Sequence, residues 1–261
     1  SQRSPTKPVQ SPLAPILGNQ LQSWEHQLLE ALELVTDVQH LTYLLNQNQP
    51  LYLASDGGAR EHLITGSFGW ILGTPNEILV KCGGPVTGTP ISSFRCEAMG
   101  RLSALVFLSR YCHFHAIKPT CPIITYLDNK AVIQTKSKLL GFSSLFPSAT
   151  ITSDMDVFLS LLDVHRELPW TKVDTFHVKA HQDDHQSFES LSRPAQLNVL
   201  ADSIATQILN TLETASPPTA IPLPSSRIHL FQESSMITSK YTHTLRYGMA
   251  ETHLREYLCQ R

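Results

Sequence analysis

LYLASD, residues 51–56, runs directly into Gly57 and Gly58, and this stretch sets the reading of the chain. Its alternation is that of a half-buried strand, and an acid followed by two glycines closes it. Two further strand-like segments follow, SFGWIL (67–72) and EILVKC (77–82), joined by a turn over Gly73 to Asn76. A loop from Gly83 to Pro90 leads to a helix opened by Ser92 or Ser93, on which Ala98, Leu102, Leu105 and Ser109 share one face. IITYL after Pro122 is a fourth strand ending at Asp128, and a helix through Ala131, Val132 and Ile133 comes next. Asp154–Leu168 reads as another helix, VDTFHV (173–178) as a fifth strand, and Ala195–Leu212 as a closing helix with Leu197, Ala201, Ile204, Ala205 and Ile208 facing inward. Hairpin-linked strands followed by alternating units predict an α/β fold, a five-stranded mixed sheet flanked by helices.

The flanks are of different character. Residues 1–20 are rich in Pro, Ser and Gln and read as a flexible leader, and the lack of an initial Met implies processing or excision from a longer chain. Residues 21–48 carry apolar residues at helical spacing, with Thr36 or Asp37 able to cap a second helix. The sheet domain occupies 49–213, a Pro/Ser-rich linker 214–226, and a helical extension 227–261. That last segment sets Arg227, Lys240, Arg246, Arg255 and Arg261 against three glutamates, a mild basic bias suited to touching nucleic acid or to covering a sheet edge.

Across the 261 residues, 41% hydrophobic content is enough for a buried core. No apolar run approaches the roughly 18 residues of a membrane span, and no secretory signal is evident, so an intracellular setting is expected, cytoplasmic or nuclear. Five cysteines, an odd number without a CxxC, argue against a disulfide framework, and the Cys112, His113, His115, Cys121 group matches no common zinc spacing. A net charge of −2 does not announce a nucleic-acid binder, although a local basic groove is compatible with it.

Four acids draw attention together. Taken alone, Asp56 could start a turn, Glu97 could favour a helix dipole, and Asp128 could cap the helix after it. Asp202 resists such an account, because it sits in the middle of a strongly patterned helix with Asn198 one turn before it. Asp56 and Asp128 both end strands, where open sheets place ligand sites, and Glu97 projects from the helix packed over them. An oxygen-only donor set suits hard cations such as Mg²⁺.

At this point the sequence resembles the ribonuclease H family, in particular the domains carried by reverse-transcribing retroelements. SDGGAR with GSFGW, SSFRCEAMGRLSAL, ITYLDNKAV, HVKAH and QLNVLADSIA stand in the family's order, and they span residues 51 to 209. The resemblance implies a ribonuclease H-like fold with Asp56, Glu97, Asp128 and Asp202 as ligands of two Mg²⁺ ions, with Mn²⁺ as the alternative. It makes His181 a mobile histidine aiding proton transfer or product release, and Asn198 a neighbour of the substrate ribose. It implies hydrolysis of the RNA strand of an RNA/DNA hybrid to 5′-phosphate and 3′-hydroxyl ends, by a chain that belongs to a retroelement polyprotein with a reverse transcriptase domain as partner.

One departure is the length of the loop before the closing helix. Residues 182–201 separate His181 from Asp202, and His185 within them rivals His181 for the histidine role. Gly57 and Gly58 are expected to allow close approach of substrate, and Arg60, Arg95, Lys130 and Lys179 to contact phosphates. Two other readings stand beside this one: a DNA-directed nuclease or resolvase of the same fold, and a non-catalytic nucleic-acid scaffold. The second is hard to reconcile with clustered negative charge beside phosphate.

Overall fold

The computed structural model describes residues 13–60, 65–140, 152–168, 173–179, 182–184, 186–213, 218–220, 222–226, 228–232 and 235–259. Three short helices, α1 (Ala14–Leu17), α2 (Ser23–Leu29) and α3 (Val38–Leu45), precede the main sheet, with a two-residue strand β1 (Glu33–Leu34) between the last two. Then come β2 (Leu51–Arg60), β3 (Thr65–Gly73), β4 (Ile78–Val86), α4 (Ser93–Phe114), β5 (Ile123–Leu127), α5 (Lys130–Leu140), α6 (Met155–Glu167), β6 (Val173–His177) and α7 (Arg193–Leu212). A hairpin of β7 (Leu230–Gln232) and β8 (Ser235–Ile237) leads into α8 (Tyr241–Cys259). No helix among the described residues is long and apolar enough to cross a membrane.

The sheet is mixed, as expected, but has six strands in the order β1-β4-β3-β2-β5-β6. β2, β3 and β4 form an antiparallel meander, and β5 and β6 add to β2 in parallel. The additional strand is β1, which lies in a stretch that sequence periodicity makes helical. Glu33 and Leu34 pair with Lys81 and Val80, and Glu33 also binds Lys81 through a 3.0 Å ion pair. The exposed edge of β4 offers unpaired backbone groups, and satisfying them outweighs a helical preference too short to propagate. Asp37 does cap α3, its Oδ1 accepting from the His40 amide at 2.7 Å.

β2 also runs further than the alternation implies. Asp56 sits within the strand opposite Gly69, and antiparallel pairing continues to Arg60 and Thr65. The parallel pairing with β5 stops earlier, at Ala54 and Tyr126. Asp56 therefore lies just beyond the point where β5 diverges from β2.

The two faces of the sheet are covered unequally. On one side α4 is buried along almost its whole length, from Arg95 to Cys112 except Arg110, between the sheet, α6 and the N-terminal helices. On the other side α7 packs over β2 and β3, with Ala54, Ile71 and Leu197 forming a small core. Among the inward residues expected on α7, Leu197, Ala201 and Ala205 are fully buried and Ile204 and Ile208 partly so.

Both helices come unusually close to the strands, and glycines permit it. A Cβ on Gly57 would meet the Cys96 carbonyl carbon and lie 2.5 Å from the Glu97 amide nitrogen. A Cβ on Gly69 would strike the Ala201 carbonyl oxygen and lie 2.9 Å from the Ala205 nitrogen. Real Cβ atoms do not tolerate such distances from backbone, so a methyl group at either place must displace a helix. Gly57→Ala is expected to lower the unfolding free energy by about 3 kcal/mol, measured by urea denaturation. The same loss is expected for Gly69→Ala, whereas Gly58→Ala, whose Cβ would meet side-chain atoms alone, Leu209 Cδ2 at 3.2 Å and Ser67 Oγ at 3.7 Å, should cost less.

Candidate metal centre

Three of the four acids converge. One carboxylate oxygen from each of Asp56, Glu97 and Asp128 lies within 4.8 Å of the other two. Each arrives from a different element: Asp56 from the middle of β2, Glu97 from the first turns of α4, and Asp128 from the residue after β5. Asp56 and Glu97 are 8% and 4% exposed, so the cluster is largely closed to bulk water.

Local chemistry fixes each carboxylate. The Gly57 amide donates to Asp56 Oδ1 at 2.6 Å, and Asn198 Nδ2 donates to Asp56 Oδ2 at 3.4 Å. Asn198 is itself 4% exposed. The capping role open to Asp128 belongs instead to its neighbour, because Asn129 Oδ1 accepts from the amides of Ala131 and Val132 at 3.0 and 3.3 Å. Asn129 thereby satisfies the first turn of α5 and leaves the Asp128 carboxylate turned to the cluster. The signal for this was present in the sequence, since Asn is as good a cap as Asp and stands two residues before Ala131.

Asp202 stands outside the tight group but within its field. It is half-buried on α7, accepts from Thr206 Oγ1 at 3.5 Å, and adds to the charge felt by Glu97. Burial is the largest influence on Glu97, followed by its hydrogen bond and charge interaction with Asp128 and the charges of Asp56 and Asp202. Together they push the Glu97 carboxyl up to about 11.

The expected phosphate contacts fare differently. Lys130, the first residue of α5, and Lys179 are exposed. Arg95 is not available: it is 1% exposed, with Nη1 and Nη2 donating to Asp156 at 2.8 Å and Nη1 also to Asp154 at 3.2 Å. Its Nε donates to the Thr87 carbonyl at 2.7 Å. A fully desolvated guanidinium needs such partners, and two buried carboxylates supply them. Arg60 is engaged at the far end of α7, with Asn210 at 2.8 Å and with Glu213. The close approach that Gly57 allows is to the backbone of α4, as described above. His181 and His185 lie outside the described residues.

Arg101, one turn after Glu97, was not anticipated from the sequence. It is 1% exposed, donates from Nη2 to Thr175 Oγ1 at 2.7 Å, and burial lowers its guanidinium to about 10. No pattern in the sequence distinguishes a buried arginine of this kind from a surface one.

No family model matches the chain, and no curated protein matches it. Solved structures do. The chain is similar to the N-terminal RNase H domain of a Mycobacterium tuberculosis protein, at 12% identity and a TM-score of 0.44, over 64% of this chain and 99% of that one. The RNase H1 of the halophilic archaeon Halobacterium salinarum aligns at 15% identity and a TM-score of 0.41, over 62% and 98%. The foamy viral protease-reverse transcriptase in complex with an RNA/DNA hybrid aligns at 13% identity and a TM-score of 0.43, over 64% of this chain and 21% of that one. An antiparallel meander extended in parallel by β5 and β6, with α4 and α7 on opposite faces, is the ribonuclease H-like fold.

Proposed function

We propose that this chain is an endonuclease that hydrolyses the RNA strand of RNA/DNA hybrids with the help of divalent ions, giving 5′-phosphate and 3′-hydroxyl ends. The observation that carries the reading is the convergence of Asp56, Glu97 and Asp128 in a nearly buried cluster. Like charges brought together in this way are costly unless something neutralises them.

The residues present fit a hard cation. Glu97 Oε2, Asp128 Oδ1 and Asn198 Oδ1 are buried acceptors with no hydrogen-bond partner among the described residues. An all-oxygen set of this kind suits Mg²⁺ or Mn²⁺, with Asp202 completing a second position. When bound, such ions lower the pKa of an attacking water and stabilise the leaving oxygen.

The chain's own residues prepare that site. The Gly57 amide and Asn198 side chain hold the two oxygens of Asp56 in orientation. Asn198, buried and bonded to Asp56, thus supports a positioning role more directly than ribose contact. Lys130 stands exposed at the start of α5, two residues after Asp128, where it can attract a phosphate. His181 is assigned to proton transfer or product release, with His185 as the rival. The retroelement setting, with a reverse transcriptase domain in the same polyprotein, belongs to this reading as well.

Two experiments test it. With a labelled hybrid and Mg²⁺, the parent chain should cleave the RNA strand, and Asp128→Asn should lose at least about 100-fold in rate. Duplex DNA and duplex RNA of the same sequence should survive. A parent chain inert on the hybrid with both Mg²⁺ and Mn²⁺ would refute the assignment.

The second concerns stability. Glu97 is raised far above its unfolded value, so between about pH 4.5 and 11 the folded state binds more protons than the unfolded one. Stability of the metal-free protein is therefore lost as pH rises through this window. Glu97→Gln should melt higher than the parent at pH 8 in chelator, and the advantage should vanish near pH 4. Millimolar Mg²⁺ should raise the melting temperature of the parent at pH 8 and leave Glu97→Gln nearly unmoved.

A further inference from the structure

The C-terminal segment is fastened to the same end of α4 that carries Glu97. Thr89 donates to the Met236 carbonyl at 2.8 Å, Thr238 donates back to the Thr89 carbonyl at 2.9 Å, and Asp154 donates to the Thr238 carbonyl at 2.8 Å. Met236, Ile237 and Thr238 are buried. Tyr241, which opens α8, feels the charges of Asp156 and Asp154, the two acids that hold Arg95. Arg95 stands two residues before Glu97. The hairpin thus fixes the start of α8 to the body of the protein, and it pairs with Thr89 rather than with an edge of the main sheet.

The first turns of α8 present cations from this anchor, whereas over its full length Arg246 and Arg255 are balanced by Glu251 and Glu256. Lys240, His243, Arg246 and Tyr247 are all exposed, and no acid occurs from Lys240 to Ala250. Neither Lys240 nor Arg246 makes an ion pair among the described residues. His243 stacks on Tyr247 one turn away, with ring centroids 6.1 Å apart. Lys240 adopts φ +49°, a left-handed conformation that Gly or Asn would take more easily, with its side chain in solvent. A lysine without an ion pair among the described residues, held in an unfavourable conformation at the root of a helix whose residues 241–250 include no acid, points to a charge-based role.

We infer that the exposed face of α8 formed by Lys240, His243, Arg246 and Tyr247 grips the phosphate backbone of a nucleic-acid duplex beyond the acidic cluster. The inference rests on the proposed nuclease reading for its biological sense. Its physical basis is independent: duplexes carry dense phosphate charge, and each phosphate neutralised by a lysine or arginine releases a counterion. The grip needs no metal, whereas cleavage at the acids does.

Binding should therefore be measured in chelator, by fluorescence anisotropy of a labelled RNA/DNA hybrid across a salt series, with duplex DNA beside it. Replacing Lys240 and Arg246 together by Gln is expected to weaken binding roughly five- to tenfold at about 0.1 M salt. It should also reduce the slope of log affinity against log salt by about 2, one counterion step per lost contact. Arg246→Gln alone, which leaves the left-handed residue intact, should reduce the slope by about 1. An unchanged slope and affinity in both variants would overturn the proposal. So would sedimentation showing that Leu245→Ser abolishes self-association while duplex binding in both glutamine variants stays at the parent level, since the face would then serve another copy of the chain. A parent chain that binds duplexes with this salt signature but never cleaves them would sink the nuclease reading and leave the α8 surface standing.

Discussion

The architecture depends on how closely two helices can approach the central strands. Gly57 on β2 and Gly69 on β3 face opposite sides of the sheet, and each lies beneath helix backbone. Gly57 meets α4 at Cys96 and Glu97, and Gly69 meets α7 between Ala201 and Ala205, the turn that contains Asp202. Asp56 sits between these contacts, next to Gly57 in sequence and opposite Gly69 across the strands. Removing two Cβ atoms brings acids on separate helices toward one strand acid. With ordinary side chains at 57 and 69, the helices would stand off and the carboxylates would separate.

That geometry has an electrostatic cost. Glu97 is buried among Asp56, Asp128 and Asp202, and its carboxyl is forced into the protonated form at neutral pH. The nearest arginine in sequence gives no relief, because Arg95 is committed to Asp154 and Asp156. The protein separates its buried charges into a neutralised group at the foot of α4 and an uncompensated one just above it. The first is structural: it ties α4 to α6, and through Asp154 and Thr238 to the C-terminal hairpin. The second has no comparable structural return, which is why a cation-dependent role explains it best.

Much of this was legible in the sequence because the pattern is strong where faces are half-buried. The five long strands, α4, α6 and α7 follow from alternation and helical spacing, and Asp202 stood out as an acid in a well-patterned helix. The failures are equally physical. β1 is only two residues long, and its existence depends on an edge that the local sequence does not reveal. Arg95 looks like a surface cation because its partners Asp154 and Asp156 lie some sixty positions away, joined only by the packing of α6 on α4. Asp128 and Asn129 compete for one capping role, and only the geometry shows that Asn129 takes it. The β7–β8 hairpin escaped notice because three-residue strands carry too few alternations to register.

The N-terminal extension shows where sequence pattern and packing part company. By composition, residues 21–48 stand apart from the sheet domain, yet Trp24, Leu28, Leu29, Leu41 and Leu45 belong to the same core as Trp70, Leu102 and Phe107. Trp70 Nε1 donates to Ser103 Oγ at 2.8 Å, and Ser103 Oγ donates to the Leu28 carbonyl at 2.8 Å, so strand, helix and extension share one chain of bonds. Glu25, 1% exposed, is held by Arg110 at 2.6 Å. This explains why α4 is buried all round rather than along one stripe: the extension covers the flank that would otherwise face water. A helix enclosed in this way cannot shift to relieve repulsion at its first turn. The strain at Glu97 therefore stays in the site, where a bound cation can offset it.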